Sequence, residues 1–135
     1  MKKGALLTFD AMVAMIATVI MLFVILSSLH DSQRDTQGTE ELQHTSFQVM
    51  SAASHTGVLV QGLSSATPVK RHLNATIPSR MCSTITLYDN SNATVRNVNK
   101  TGCENQTPSK KSVSVRSFRS GGANYYAILE VWYDG

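Results

Sequence analysis

From Ala11 to Leu29 the chain carries no charged residue, and its run of Ala, Met, Val, Ile and Leu approaches the ~20 apolar residues that a membrane-spanning helix needs. Beyond Leu29 the sequence turns polar, yet Leu42, Phe47, Val49, Met50, Val58 and Leu63 recur at loosely helical spacings, with no proline before Pro68. These spacings predict a second helix from about Glu40 to Gln61. Gly38 and Gly57 interrupt the pattern, so a softened stretch around Ser32 to Thr39 is expected between the two helices. An uninterrupted helix, or a polar linker leading into an ordinary domain helix, fits the same residues.

From Pro68 to Gly135 the period changes: β-branched and aromatic residues alternate with polar ones, and turn formers punctuate them. Met81 to Tyr88 sets Ser83, Ile85 and Leu87 on one face against Cys82, Thr84, Thr86 and Tyr88 on the other. Asp89-Asn90-Ser91-Asn92 makes a turn from which Ala93 to Val98 can return antiparallel. Lys111 to Phe118 and Asn124 to Tyr133 form a second hairpin across Ser120-Gly121-Gly122-Ala123. The last of these runs is apolar on both faces apart from Glu130, which places it centrally in the sheet or at a subunit contact. The expected fold class is α+β, a long N-terminal apolar helix followed by a small antiparallel β-rich head.

Of the 135 residues, roughly one hundred remain for a folded domain after the apolar segment, enough for one small domain with a thin margin of stability. A covalent staple would widen that margin. Cys82 and Cys103 both lie beyond the apolar segment, and in an oxidising compartment they predict a disulfide in preference to a metal pair. The net charge of +3 conceals an asymmetry: Asp31, Arg34, Asp35, Glu40 and Glu41 make an acidic collar, whereas nine lysines and arginines face only Asp89 and Glu104 between Lys70 and Arg119. We read the basic stretch as a solvated face and not as a nucleic-acid site.

Lys2 and Lys3 precede the apolar run while Asp31 and Asp35 follow it, so the positive-inside rule puts the N-terminus in the cytoplasm and the rest of the chain outside. A conventional signal peptide has a shorter apolar core of ~7–15 residues and a small-x-small cleavage site, which Ser27-Ser28-Leu29-His30 does not supply. The junction Lys2-Lys3-Gly4-Ala5-Leu6-Leu7-Thr8-Phe9-Asp10 instead resembles a class III (prepilin) signal, and the first thirty residues look like those of archaeal type IV pilin-like proteins. The resemblance implies that a membrane prepilin peptidase cuts on the cytoplasmic side after Gly4, leaving Ala5 as the mature start and the helix on the mature protein. A cut after Ala5 would make Asp10 the fifth mature residue; after Gly4 it is the sixth.

The same resemblance implies that Asp10 meets a neighbour's terminal amine during assembly, that the membrane-anchored precursor is passed to membrane assembly machinery, and that the product is a homopolymeric filament at the cell surface. Read from its position alone, Asp10 is equally an interfacial acid near a helix N-terminus. The implied organisation is a leader at 1–4, a transmembrane and filament-core helix at 5–30, a helical stalk at 31–67 and a β-rich extracellular head at 68–135. Ala11, Ala14 and Ala17 would offer a small-residue face for helix packing. A single-pass anchor carrying a binding or sensor head is the rival organisation.

Asn74, Asn92, Asn99 and Asn105 each begin an Asn-x-Thr acceptor, with Ala, Ala, Lys and Gln in the middle, and are candidate N-glycosylation sites for adhesion-type surface glycoproteins. Catalytic chemistry finds little to use. The sequence has no phosphate-binding glycine loop or nucleophile elbow, and His30, His44, His55 and His72 are dispersed, so they read as surface polar residues with no metal site, cofactor or enzymatic role expected.

Overall fold

The computed structural model describes the backbone of residues 2–135 and the side chains of residues 11–28 and 38–135. Two compact units emerge, 1–38 and 39–135. A single helix, α1 (Lys2–His55), begins in the first and ends in the second. The backbone stays helical through 32–39, where a softened stretch was expected. A lone Gly38 costs a helix only about 1 kcal/mol relative to Ala, and no proline lies nearby.

In the head unit, α1 buries Leu42, Ser46, Val49, Met50 and Ala53, a stripe at the spacings one face of a helix requires. The helix ends at His55 and not near Gln61, because Gly57 adopts a left-handed conformation (φ 73°) that side chains rarely tolerate. The chain restarts as α2 (Val58–Ser64) and, after extended Ser65, as α3 (Ala66–Thr76). The Ser65 hydroxyl accepts the Thr67 N–H at 3.3 Å and caps α3.

Helix α3 corrects the expectation that strand structure begins at Pro68. Pro68 sits in the first turn of α3, where the missing N–H would have had no helical partner. Helix α3 stops at Ile77, whose backbone is extended (φ −90°, ψ 124°), as the following Pro78 favours. The compact head unit runs Thr39–Gly135.

The sheet contains β1 (Met81–Tyr88), β2 (Thr94–Asn99), β3 (Ser112–Ser120) and β4 (Ala123–Tyr133), all antiparallel, in the order β2-β1-β4-β3. The apolar run of β4 is interior, between β1 and β3, as its two-faced hydrophobicity predicted. Its turn from β3 uses Gly121 (φ 57°) and Gly122 (φ 84°), two positive-φ positions that match the twist of a tight hairpin. Met81, Ser83, Ile85 and Leu87 of β1 join Ala127, Leu129 and Val131 of β4 against the helices. Gly62 makes close approach possible there: a Cβ at this position would lie 2.6 Å from Val69 Cγ2 and 3.0 Å from Leu87 Cδ1.

Candidate functional site

The first candidate surface is the apolar half of α1. Ala11–Ser28 is long and apolar enough to cross a membrane, as a membrane anchor or a signal sequence would be, and none of it is buried. Two of its hydroxyls are satisfied within the helix: Thr18 Oγ1 donates to the Ala14 carbonyl at 2.7 Å and Ser27 Oγ to the Phe23 carbonyl at 2.8 Å. Such internal bonds remove the polar demand that hydrocarbon could not meet. Ala11, Ala14 and Ala17 are all exposed. The side chains of Gly4, Ala5 and Asp10 lie outside the described residues.

The second candidate is the face of the sheet turned away from the helices. Cys82 of β1 bonds to Cys103 as a disulfide (Cα–Cα 5.5 Å), and with Trp132 the pair forms a small buried cluster on this face. Trp132 Nε1 donates to Gln106 Oε1 at 2.9 Å, and Gln106 Nε2 donates to Asp134 Oδ1 at 2.7 Å. The loop between β2 and β3 is thus fastened over one end of the face. Beside it opens a cleft of about 400 Å³ whose lining includes Thr84, Asn97, Asn99, Asn105, Lys111 and Glu130. Lys111 Nζ lies 2.6 Å from Glu130 Oε1 across β3 and β4.

The four sequons are not equivalent in this fold. Asn92 (φ 64°) and Asn105 (φ 66°) are exposed at left-handed positions that asparagine tolerates better than most residues. The Asn92 Oδ1 accepts the Tyr126 hydroxyl at 2.8 Å. Asn74, on α3, uses both ends of its amide on Thr101, donating to Oγ1 at 2.9 Å and accepting the backbone N–H at 3.1 Å. Asn99 is half-buried and accepts the Thr84 hydroxyl at 2.5 Å.

Electrostatic contacts organise the head more than the sequence suggested. Glu41 of α1 accepts the Arg80 guanidinium on one oxygen and the Tyr133 hydroxyl, at 2.7 Å, on the other. Burial, the hydrogen bond to Glu41 and its charge together raise the Tyr133 pKa above the ordinary phenol value. Asp89 Oδ1 accepts the Ser91 hydroxyl at 2.7 Å and the N–H groups of Ser91 and Ala93 at 2.8 and 2.9 Å. These bonds, the Ser91 hydroxyl foremost, hold the Asp89 carboxyl below its usual pKa.

Two readings of side-chain exposure change. Lys100 is not part of a solvated basic face: it is 8% exposed, and its ammonium donates to the Pro78 and Met81 carbonyls at 2.7 and 2.6 Å. His72 is half-buried and its Nε2 lies 3.2 Å from the Val49 carbonyl, joining α3 to α1, whereas His44 and His55 are exposed. The side chain of His30 lies outside the described residues. Among the described residues, no group of three His, Cys, Asp or Glu side chains could hold a metal ion. No family model matches the chain, and no curated protein or solved structure matches it.

Proposed function

We propose that this chain is a structural subunit of an archaeal type IV pilus-like cell-surface filament, stored in the membrane by its N-terminal helix and polymerising through it. The observation that carries the reading is the division of labour along α1: an apolar segment with no buried residue at one end, and a stripe built into the head's core at the other. A subunit that leaves the lipid for a bundle of like helices needs both. In this reading a prepilin peptidase cuts after Gly4, the new amine of Ala5 meets Asp10 of a neighbouring helix, and the head faces outside. An oxidising exterior agrees with the Cys82–Cys103 disulfide. Glycans at the exposed sequons Asn92 and Asn105 would cover the head's surface.

N-terminal sequencing of the membrane-bound and extracellular forms tests the reading. A mature start at Ala5, lost when Gly4 is replaced by a bulky residue, is the expected result, together with Asp10→Asn chains that insert and are cut but assemble poorly. An intact Met1 on every molecule and no polymer would instead support a single-pass anchor with a binding head. The cleft beside the disulfide loop, with amides, a lysine and a carboxylate in its lining, is the observation that favours this second reading.

A further inference from the structure

The alternation along β3 is inverted relative to an ordinary half-buried strand. Ser112 and Ser114 point towards the helices, while Val113 and Val115 point outward and are 51% and 60% exposed. Val115 pairs with Ile128 of β4 and Val113 with Glu130, so the outer face of the β3–β4 hairpin carries an apolar patch with a polar rim of Lys111, Glu130, Ser117 and Arg119. The disulfide loop is fastened at Trp132 and shares with Lys111 and Glu130 the cleft that runs along one side of the patch. A polar-rimmed apolar patch on a protein surface marks a contact.

A complementary feature sits on the helix layer of the same head. Phe47 of α1 is 64% exposed, and the exposed Glu40 lies two helical turns before it on the same side. We propose that Phe47 of one copy of this chain seats on the Val113–Val115–Ile128 patch of a second copy, with Glu40 facing Arg119. The proposal rests on the filament reading and names a contact between its heads.

Spacing and charge support this occupant. Glu40 and Phe47 are separated by about 10 Å along the helix at 1.5 Å per residue. Val115 and Arg119 share one face of β3 about 13 Å apart at 3.3 Å per residue, a difference that a flexible arginine spans. The collar that contains Glu40 is acidic, whereas Lys111 and Arg119 stand on the rim of the patch. Phe47 is on the helix layer and the patch on the far face of the sheet, so each copy offers a different surface to each neighbour. A heterologous contact of that kind repeats without closing on itself unless its rotation happens to close, and it generates filaments.

Photo-cross-linking of the full-length chain in its own membranes and filaments tests the contact. With p-benzoylphenylalanine in place of Phe47, and isotope-labelled and unlabelled copies mixed, the expected product joins position 47 of one copy to a peptide containing Val113, Val115 or Ile128 of another. Glu40→Arg and Arg119→Glu should each lower its yield several-fold, and the two together should restore it; no restoration overturns the pairing. Cross-links confined to lipid, to the same copy or to another surface, in samples where unsubstituted chains do polymerise, overturn this contact and leave the filament reading intact. If unsubstituted chains form no polymer, both fail.

Discussion

Residues 11–28 and residues 42–53 lie on one helix, yet their apolar side chains meet opposite fates. Met15 and Phe23 are 72% and 73% exposed, while Met50 and Ala53 are 2% and 0% exposed. In the first segment apolar residues surround the helix on all sides; in the second they are confined to one stripe and the rest of the surface is polar. A stripe can be satisfied by one sheet, whereas an apolar cylinder needs an apolar medium or several partners. The head is thus complete within the chain, and the N-terminal segment is not.

The widest separation between the segments should appear in a matched pair of methionines. Met50→Ala opens a cavity in the core and should cost ~2–5 kcal/mol of head stability, measured by thermal or denaturant unfolding of the detergent-held chain. Met15→Ala should leave that transition within ~0.5 kcal/mol, the range of ordinary surface changes. Equal losses would mean that the two segments share one cooperative core.

The covalent staple belongs to the head alone. Replacing Cys82 and Cys103 together by Ser should remove ~3 kcal/mol, from a loop closed across a sequence separation of 21, and should leave membrane association unchanged. Mass mapping of the untreated protein should find the single cross-link. A smaller loss is expected at Gly62, where Ala places a Cβ against Val69 and Leu87: overpacking of ~1–3 kcal/mol, read as a lowered Tm.

The smallest effect is electrostatic and tests a turn. Hydrogen bonds depress the Asp89 pKa in the folded state below its ordinary value of 3.8. The unfolded chain therefore binds the proton more readily, so this contribution is fully present above the unfolded pKa and is lost as pH falls through the lower folded pKa. Wild type should lose Tm more steeply than Asp89→Asn over that acidic window, and parallel curves would show that the turn does not depend on the charge.

The strands were legible because their period of two was bracketed by turn residues; β1 spans the expected Met81–Tyr88, and Gly121-Gly122 marked the hairpin. Helix α3 was not, because Pro68 looked like a breaker. The spacing of Val69, Leu73 and Ile77, all buried, with Ser65 as a cap, was the available signal. Alternation on β3 did not say which face turns inward, since pairing with Ala127, Leu129 and Val131 fixes it. Burial of Lys100 depends on carbonyls at Pro78 and Met81, about twenty residues away, which no local pattern reports. The likeness to prepilins rests on the leader junction, whose side chains lie outside those described.

Glu41 gives the head a mechanical character. It stands near the point where α1 enters the head, and its two oxygens hold Arg80, just before the first strand, and Tyr133, at the end of the last. Tension arriving along α1 would pass at Glu41 directly into β4, and from there into β1 across the eight residue pairs that join the two central strands. His72 ties α3 to the same helix at the Val49 carbonyl, so α3 would share the load with the sheet.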